Sequence, residues 1–426
     1  MSYSVNEQVD VAQKIANLHD ANVLSDDSRL VEHAISNDKV FWSRGCPSQQ
    51  KWVKVDSLNK SSFSGSDVMT FRLPMSGILE KNTFHLKLPT NMTISANEAQ
   101  WAKGVVASCI KKRVIKIGGN VVSEIDEYGK LVVKHMKYNA PQQSLLAKDI
   151  IAGYYASATD VASADVVFLD DPIGKDFLKN SIPLFLCRKG AEITIEYHLD
   201  GTTNNFTSTN TGSNARTLTI TNPQVIYREN SCPETIAKYQ NTGMALHFND
   251  YFHQSTAVAS GANLATISHQ GWEGRLIGSE SYLYHDADLA NDTDNAKLWK
   301  DQINDLTGVK VYMANKQIVM DRQIEDPKTE CWLLSVAYAG YATNPDAYQP
   351  SLTSWGVLDN DFRIAIPVSH AGKNVHSGYK DQAEYKINLI FNTASEDLTV
   401  HTWFKMSKNA VFSPTEGFVV DERVIH

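Results

Sequence analysis

The spacing of hydrophobic residues divides the chain into two parts. Between Val9 and Ile35, apolar residues recur mostly at spacings of three and four, which is typical of amphipathic helices. Asp26 or Asp27 is suited to cap a second helix that begins just after them. The pattern therefore predicts a helical N-terminal arm over residues 1–45.

After Trp42 the pattern changes to short β-rich runs separated by Gly, Pro, Asn, Asp and Ser. Several runs alternate apolar and polar residues, which indicates strands with one buried face. The clearest runs are 68–73, 83–88, 113–117, 192–197 and 216–220. Many short strands between turn residues favour sandwiches or barrels over a parallel α/β sheet. We therefore predict an all-β protein.

Four features of this β-rich part occur twice, in the same order, at an offset of roughly 190 residues. They are the hairpin Val114–Val122 with Gly118-Gly119 at its turn and Val311–Val319 with Asn315 at its turn, Ile182-Pro183 and Ile366-Pro367, the strands around Ile193 and Ile387, and Leu218-Thr219-Ile220 and Leu398-Thr399-Val400. A repeat of this length predicts two copies of a whole domain.

The boundary between the copies is predicted near Tyr227–Tyr239, where the polar, proline-containing segment Glu229–Thr235 resembles a linker. The predicted domains are residues 46–229 and 230–426. Each is long enough for an eight-stranded sandwich with large loops.

Composition narrows the possible functions. The 426 residues are 42% hydrophobic and 21% charged, as in ordinary globular proteins. The formal net charge of -8 argues against a protein that coats DNA or RNA, because phosphate binding requires an excess of Lys and Arg.

The cysteines and the N-terminal sequence bear on the compartment. The five cysteines are Cys46, Cys109, Cys187, Cys232 and Cys331, widely spaced and without a Cys-x-x-Cys pair. This spacing predicts neither a zinc site nor a disulfide framework, and it favours a reducing compartment. The first residues lack the apolar stretch of a secretory signal, and no run of 18 apolar residues is present.

Three segments each allow a functional and an ordinary interpretation. Thr202–Asn214 is either an exposed tower loop or an ordinary surface loop. The four carboxylates of Asp286–Asp294 suit a calcium site, but without EF-hand spacing they favour a solvated acidic loop that leads into a helix-like segment, 296–299. The aromatic residues of Tyr338–Tyr348 and Trp355-Gly356 suit either sugar stacking or a subunit contact.

Motifs of catalysis are missing from the sequence. It contains no Gly-x-Ser-x-Gly, no P-loop and no His-Glu-x-x-His. We therefore predict no catalytic, cofactor-binding or metal-binding residues, and a protein that is not an enzyme.

Two segments resemble the double jelly-roll major capsid proteins of large DNA viruses, adenoviruses and tailless icosahedral phages. Trp101–Lys134 is similar to the family's strand with an Ile-Gly-Gly turn followed by a short helix. Ser181–Leu186 and Ala191–Tyr197 are similar to its proline-containing strand and the alternating strand that follows. The internal repeat matches the family's two jelly rolls in tandem.

The resemblance implies two tandem eight-stranded jelly rolls and a structural role in a virion, with synthesis in the host cytoplasm. It implies homotrimers that act as pseudo-hexameric capsomers, with neighbouring capsomers and minor capsid and vertex (penton) proteins as partners, and no sequence-specific nucleic acid binding. The arm, residues 1–45, would contact neighbouring trimers or an internal membrane.

Two alternatives share the predicted fold class. One is a carbohydrate-binding protein of two β-sandwich domains. The other is a polysaccharide-active enzyme, which requires a pair of carboxylates across a cleft. Fold alone does not choose among these functions.

Overall fold

The computed structural model describes residues 50–94, 99–101, 104–138, 154–155, 159–160, 165–169, 176–187, 191–209, 216–271, 274–294, 296–301, 305–318, 323–338, 355, 361–368, 384–414, 417–420 and 423–425. The predicted helical arm, residues 1–45, lies outside the described residues. Among the helices that the structure describes, none has both the length and the apolar character needed to cross a bilayer.

Strands dominate the described residues. They are β1 (Gln50–Asp56), β2 (Ser62–Ser64), β3 (Val68–Arg72), β4 (Ile78–Leu79), β5 (His85–Ile94), β6 (Ala99–Trp101), β7 (Gly104–Val105), β8 (Ile110–Ile117), β9 (Asn120–Asp126), β10 (Tyr154–Tyr155), β11 (Thr159–Asp160), β12 (Asp165–Leu169), β13 (Ile193–Leu199), β14 (Thr207–Thr209), β15 (Arg216–Thr221), β16 (Gln224–Asn230), β17 (Met244–Val258), β18 (Leu264–His269), β19 (Arg275–His285), β20 (Leu306–Met313), β21 (Lys316–Gln317), β22 (Ile364–Pro367), β23 (Tyr385–Phe391), β24 (Leu398–Ser413), β25 (Gly417–Val420) and β26 (Arg423–Ile425). The helices are α1 (Tyr128–Tyr138), α2 (Pro233–Thr242), α3 (Asp286–Ala290) and α4 (Pro327–Tyr338).

The first half of the chain contains two facing antiparallel sheets. Sheet 1 has the order β1-β16-β5-β12, extended by β15 and β2, with β4 also paired to β16. Sheet 2 has the order β3-β13-β8-β9. Small sheets of β10-β7 and β11-β6-β14 lie in the connections.

The second half repeats this arrangement. Sheet 3 has the order β17-β24-β19-β22, with the hairpin of β25 and β26 added to the end of β24. Sheet 4 has the order β18-β23-β20-β21. Helix α2 connects the last strand of the first half to β17.

The two halves have the same topology. In this comparison β1 with β2, β4 with β5, and β15 with β16 each count as one interrupted strand, and the small sheets and the hairpin of β25 and β26 are left out. Numbered in this way, sheets 1 and 3 each contain the first, eighth, third and sixth strands of their half. Sheets 2 and 4 each contain the second, seventh, fourth and fifth. This is the arrangement of an eight-stranded jelly roll, so the predicted fold class is confirmed.

The four repeated sequence features occupy equivalent places. The two hairpins join β8 to β9 and β20 to β21, and the alternating strands are β13 and β23. Ile182 pairs with Leu79 and Ile366 with Ser279, in each case on the third strand of its half. Leu218–Ile220 and Leu398–Val400 lie on the eighth strands, in β15 and β24. The prediction of a duplicated domain is therefore confirmed at the level of topology.

Local sequence explains these elements. In both β13 and β23 every second side chain is buried, so each strand places one apolar face in its sandwich. Helix α1 packs closely on the turn Val106–Cys109 because Gly129 has no side chain. A Cβ there would lie 2.6 Å from the carbonyl oxygen of Ala107.

Two expectations from the sequence are wrong. In Thr202–Asn214, predicted to be exposed, Phe206–Thr209 is buried because β14 pairs with β6 and Phe206 stacks on Trp101. Residues 210–215 of that segment lie outside the described residues. The expectation of reduced cysteines fails at Cys232, which is disulfide-bonded, while Cys109, Cys187 and Cys331 are free.

The two equivalent hairpin turns give a matched test of backbone strain. Gly118 and Ala314 both have positive φ, 58° and 48°. A side chain disfavours this conformation, so we expect Ala314→Gly to stabilise the protein and Gly118→Ala to destabilise it, each by about 1 kcal/mol. Urea unfolding measures both changes. Shifts of the same sign for the two substitutions would contradict this assignment.

The junction between the jelly rolls as the candidate functional site

The two jelly rolls meet where β9 of the first lies against β17 of the second and the side chains of α1 contact sheet 3. Helix α1 is buried along its whole length except at Lys130. Its apolar residues, Leu131, Val132, Val133 and Met136, belong to the hydrophobic core. Lys134, His135 and Lys137 are equally buried, and burying such groups is costly unless they are paired.

Asp301 of the second jelly roll pairs with two of these basic residues. The Lys134 ammonium lies 2.5 Å from one carboxylate oxygen of Asp301, and the Lys137 ammonium lies 2.7 Å from the other. The Tyr138 hydroxyl also donates to that second oxygen, at 2.5 Å. Lys137 forms a further ion pair with Asp361 at 3.2 Å. Two buried cations thus face two carboxylates, of which Asp301 is fully buried and Asp361 is partly exposed.

Burial changes the acidity of this cluster. It lowers the pKa of Lys134 to about 7, because desolvation of the ammonium outweighs the attraction of Asp301. The pKa of Tyr138 is raised well above its ordinary value by burial and by the charges of Asp301 and Asp361.

Glu280 of sheet 3 binds the third basic residue. Its carboxylate accepts hydrogen bonds from His135 Nε2 and from the Tyr282 hydroxyl, both at 2.8 Å. Arg363 Nη1 lies 4.0 Å away. Burial alone would raise the pKa of Glu280, but His135, Arg363 and Tyr282 together lower it to about 2. The carboxylate is therefore ionised and satisfied.

A chain of hydrogen bonds with two histidines lies beside this pair. Lys130 Nζ is 3.3 Å from His401 Nε2, and His401 Nδ1 is 2.9 Å from His253 Nε2. Since an ammonium only donates, His401 Nε2 accepts, which places its proton on Nδ1 and makes His253 the acceptor. Burial lowers the pKa of His253 to about 4 and that of His401 well below its ordinary value, with Lys130 adding to the second effect.

Strand β9 adds a further set of contacts. The Ser123 hydroxyl donates to Asp250 at 2.7 Å, and Lys408 pairs with the same carboxylate at 2.6 Å. Trp403 Nε1 donates to the carbonyl oxygen of Asp126 at 3.2 Å. A cavity of about 420 Å³ opens next to these contacts, with Phe252 and His269 stacked in its wall.

The contacts of this junction hold the two jelly rolls together. Lys134, His135 and Lys137 of the first jelly roll each pair with a buried carboxylate of the second, and Asp250 of the second accepts a hydrogen bond from Ser123 of the first. Such pairs add little net stability over apolar packing, but breaking one is costly. The junction therefore fixes the orientation of the two sandwiches, because sliding one over the other would leave several buried charges unpaired.

The acidic segment Asp286–Asp294 does not converge on one point. Asp288 and Asp294 pair with Lys300, Asp292 pairs with Arg216, and Asp286 accepts a hydrogen bond from Thr399. In the part of the chain that the structure describes, no group of three or more acidic, His or Cys residues is arranged to hold a metal ion. The carboxylates are held by partners on different elements, Lys300, Arg216 and Thr399.

The expected aromatic surface is also different from the prediction. Trp355 is fully buried and packs against Tyr138 and Phe362, which excludes both a sugar contact and a subunit contact for its ring. Tyr338 ends α4 and packs under Arg363 and Lys405. The remaining predicted residues, 339–348 and Gly356, lie outside the described residues.

Sequence reasoning missed the charges of α1. The usable signal was the run Leu131–Tyr138, in which Lys134, His135 and Lys137 interrupt apolar residues on every side. A short helix with apolar residues all round is a buried helix, so basic residues within it need buried acidic partners. The partners Asp301 and Glu280 lie too far along the chain to be identified from sequence.

Replacing Asp301 tests the cost of an unpaired junction. Asp301→Asn leaves Lys134 and Lys137 buried without their main counter-charge, so we expect a loss of about 3–5 kcal/mol in the free energy of unfolding. Asp67→Asn, which breaks the partly exposed Lys60 pair, is the matched control and should cost at most about 1 kcal/mol. Equal losses in urea unfolding would contradict a special role for Asp301.

The histidine chain predicts a pH dependence. Histidines with lowered pKa bind fewer protons when folded than when unfolded, so their contribution is complete above pH 6.5 and is lost as the pH falls towards 4. Glu127, Asp126, Lys130 and Lys134 are the charged groups that act on the pair. We expect stability to fall by roughly 1–3 kcal/mol between pH 7 and 4.5.

The double substitution His253→Gln with His401→Gln removes the titrating groups but keeps side chains that form hydrogen bonds. Thermal unfolding of this variant should depend less on pH over the same window than that of the wild type. An unchanged pH dependence would show that other groups carry the effect.

No protein-family model matches the chain, and no curated protein matches it in sequence. Among solved structures, VP54 of PBCV-1, fitted into a reconstruction of the virophage Sputnik, matches with a TM-score of 0.61 at 7% identity, over 88% of this chain and 97% of that one.

Two further structures are similar over comparable lengths. The Faustovirus major capsid protein matches with a TM-score of 0.60 at 9% identity, over 85% of this chain and 90% of that one. The mavirus major capsid protein matches with a TM-score of 0.54 at 11% identity, over 87% and 90%. The chain therefore has the double jelly-roll fold of these proteins, as its resemblance implied.

Proposed function

We propose that this chain is a major capsid protein that forms homotrimeric, pseudo-hexameric capsomers of an icosahedral virus shell. The observation that carries the proposal is the pair of equivalent jelly rolls held side by side over a buried charged junction. Capsid proteins of large DNA viruses and virophages share this fold over almost their whole length. A capsid protein of this kind works through its shape and the area of its contacts with neighbouring copies.

The domain limits follow the same proposal. Residues 46–229 and 230–426 form the two jelly rolls, and residues 1–45 form an arm that reaches neighbouring trimers or an internal membrane. The partition agrees with the strand pairing, in which the described strands up to β16 and those from β17 onward pair within their own half. Neighbouring capsomers and minor capsid and vertex proteins are the other partners, and the protein acts in the virion after synthesis in the host cytoplasm.

The observations favour this function over the two alternatives. Trp355, the tryptophan of the proposed sugar-stacking surface, is buried. The carboxylates that line the 420 Å³ cavity include Asp250 and Glu124, which pair with Lys408 and Lys112. Carboxylates held in this way are poorly suited to act as an acid and nucleophile pair across a cleft.

Assembly is the direct test of the proposed function. Light scattering of the purified protein should give a trimer that persists on dilution, because permanent interfaces are large and apolar. Electron microscopy of the native source should show particles covered by pseudo-hexagonal capsomers. A stable monomer that binds glycan columns, or sugar release abolished by a single Asp or Glu substitution, would contradict the proposal.

A further inference from the structure

The cavity beside β9 and β17 is lined by apolar side chains from both jelly rolls. Its volume of about 420 Å³ lies in the range of pockets that bind small molecules. Val121 of β9 and Phe252 of β17 both line it, and they are 49% and 39% exposed. Exposed apolar side chains that converge on one cavity indicate a contact surface.

One wall of the cavity is aromatic. The ring of Phe252 stacks on that of His269 with 4.0 Å between the centroids, and both rings pack against Phe404. Burial lowers the pKa of His253 and of His269, so both imidazoles are neutral at pH 7. Neutral rings beside carboxylates are suited to hold an organic cation, because the face of an aromatic ring attracts positive charge.

The charges at the cavity leave an excess of one negative charge. Asp250 is neutralised by Lys408, at 2.6 Å. Glu124 and Asp126 share a single cation, Lys112, which contacts Glu124 and lies 3.4 Å from Asp126. Asp126 is the most exposed of the three carboxylates, with half of its side chain accessible. The cavity is therefore suited to one monovalent cation, with Asp126 as its counter-charge.

His253 supplies a hydrogen-bond donor to the same cavity. Its Nε2 accepts the proton of His401 Nδ1, so the proton of the neutral His253 ring lies on Nδ1. Among the described residues, none accepts a hydrogen bond from this Nδ1. Asp126 is close enough for its charge to act on His253. A ligand in the cavity can thus combine a cationic group with a nearby hydrogen-bond acceptor.

Two strand edges border the cavity. Of the strands that the structure describes, β9 pairs only with β8, and β17 pairs only with β24. Strand edges carry backbone N–H and C=O groups, which suit an extended peptide better than a compact small molecule.

We propose that this cavity binds an arginine side chain from an extended segment of another protein. The guanidinium lies between the aromatic wall and Asp126, and a backbone carbonyl oxygen of the segment accepts from His253 Nδ1. Arginine fits better than lysine, because a planar guanidinium can stack on a ring while donating two hydrogen bonds to one carboxylate. The inference goes beyond the proposed function, since it concerns a partner other than a second copy of the chain.

Methyl NMR of the full-length protein tests the site, because Met406 lines the cavity. The methionine methyl groups are labelled with carbon-13, and the probe is the blocked peptide acetyl-Ala-Arg-Ala-amide. We expect the Met406 signal to shift and to saturate as peptide is added, while that of Met313, on β20, stays in place. An unresponsive Met406 signal, or equal shifts of both signals, would overturn the proposal.

Four further probes test the chemistry of the ligand. The same peptide with Lys in place of Arg keeps the charge but not the plane, and the peptide with Gln loses the charge. Methylguanidinium and spermidine are cations without a backbone carbonyl. We expect each to bind at least about tenfold more weakly than the arginine peptide. Equal binding of the Lys or Gln peptide would overturn the choice of arginine, and equal binding of either small cation would overturn the assignment to a protein segment.

Substitutions at the cavity test the residues assigned to it. Asp126→Asn should raise the Kd of the arginine peptide about tenfold, because it removes a charge-assisted contact. Phe252→Leu keeps an apolar side chain but removes the ring, and it should raise the Kd about threefold or more.

Asp67→Asn is the matched control. Asp67 is also a partly exposed carboxylate paired with a lysine, Lys60, but it lies outside the cavity. This variant should bind the arginine peptide as the wild type does, and thermal unfolding checks that all three variants are folded. Wild-type affinity in Asp126→Asn, or equal losses in Asp126→Asn and Asp67→Asn, would show that the cavity does not recognise arginine in this way. Peptide binding does not depend on assembly, so either result leaves the capsid proposal intact.

Discussion

The structure depends on burying the basic side chains of α1 against carboxylates of the other jelly roll. Lys134, Lys137 and His135 have no access to water, and Asp301 and Glu280 are equally buried. Each group would be costly to bury alone, so the two jelly rolls are stable in this arrangement only together. Non-directional apolar packing would tolerate some sliding of the sandwiches, whereas this set of ion pairs tolerates little. The relative orientation of the two sandwiches is therefore a property of the single chain.

Duplication gives each jelly roll an outward sheet face and a helix after its fifth strand. Within the chain, the helix of the first jelly roll, α1, contacts the second jelly roll through Asp301 and through Glu280 of sheet 3. The two halves therefore share one topology but use their equivalent helices differently, since α4 contacts β22 of its own jelly roll.

Sequence patterns predicted the architecture because strand alternation and turn chemistry are local. The alternation around Ile193 and Ile387 and the turns at Gly118-Gly119 and Asn315 were enough to identify two equivalent domains. The burial of Phe206 and Trp355 was not predictable, because a single aromatic residue in a polar segment is expected to be exposed. Their partners in the structure, Trp101 for Phe206 and Tyr138 for Trp355, are distant in sequence. The junction depends on contacts such as Lys134 with Asp301, between residues far apart in sequence, and periodicity carries no information about them.

Hydrogen–deuterium exchange of the backbone amides of α1 tests the central claim most directly. If the buried junction makes the two jelly rolls one cooperative unit, the amides of Leu131–Tyr138 exchange only through global unfolding, as slowly as those of the core strands β8 and β24. Exchange of α1 that is much faster than that of both strands would show that the jelly rolls separate while each remains folded. That result would contradict the account.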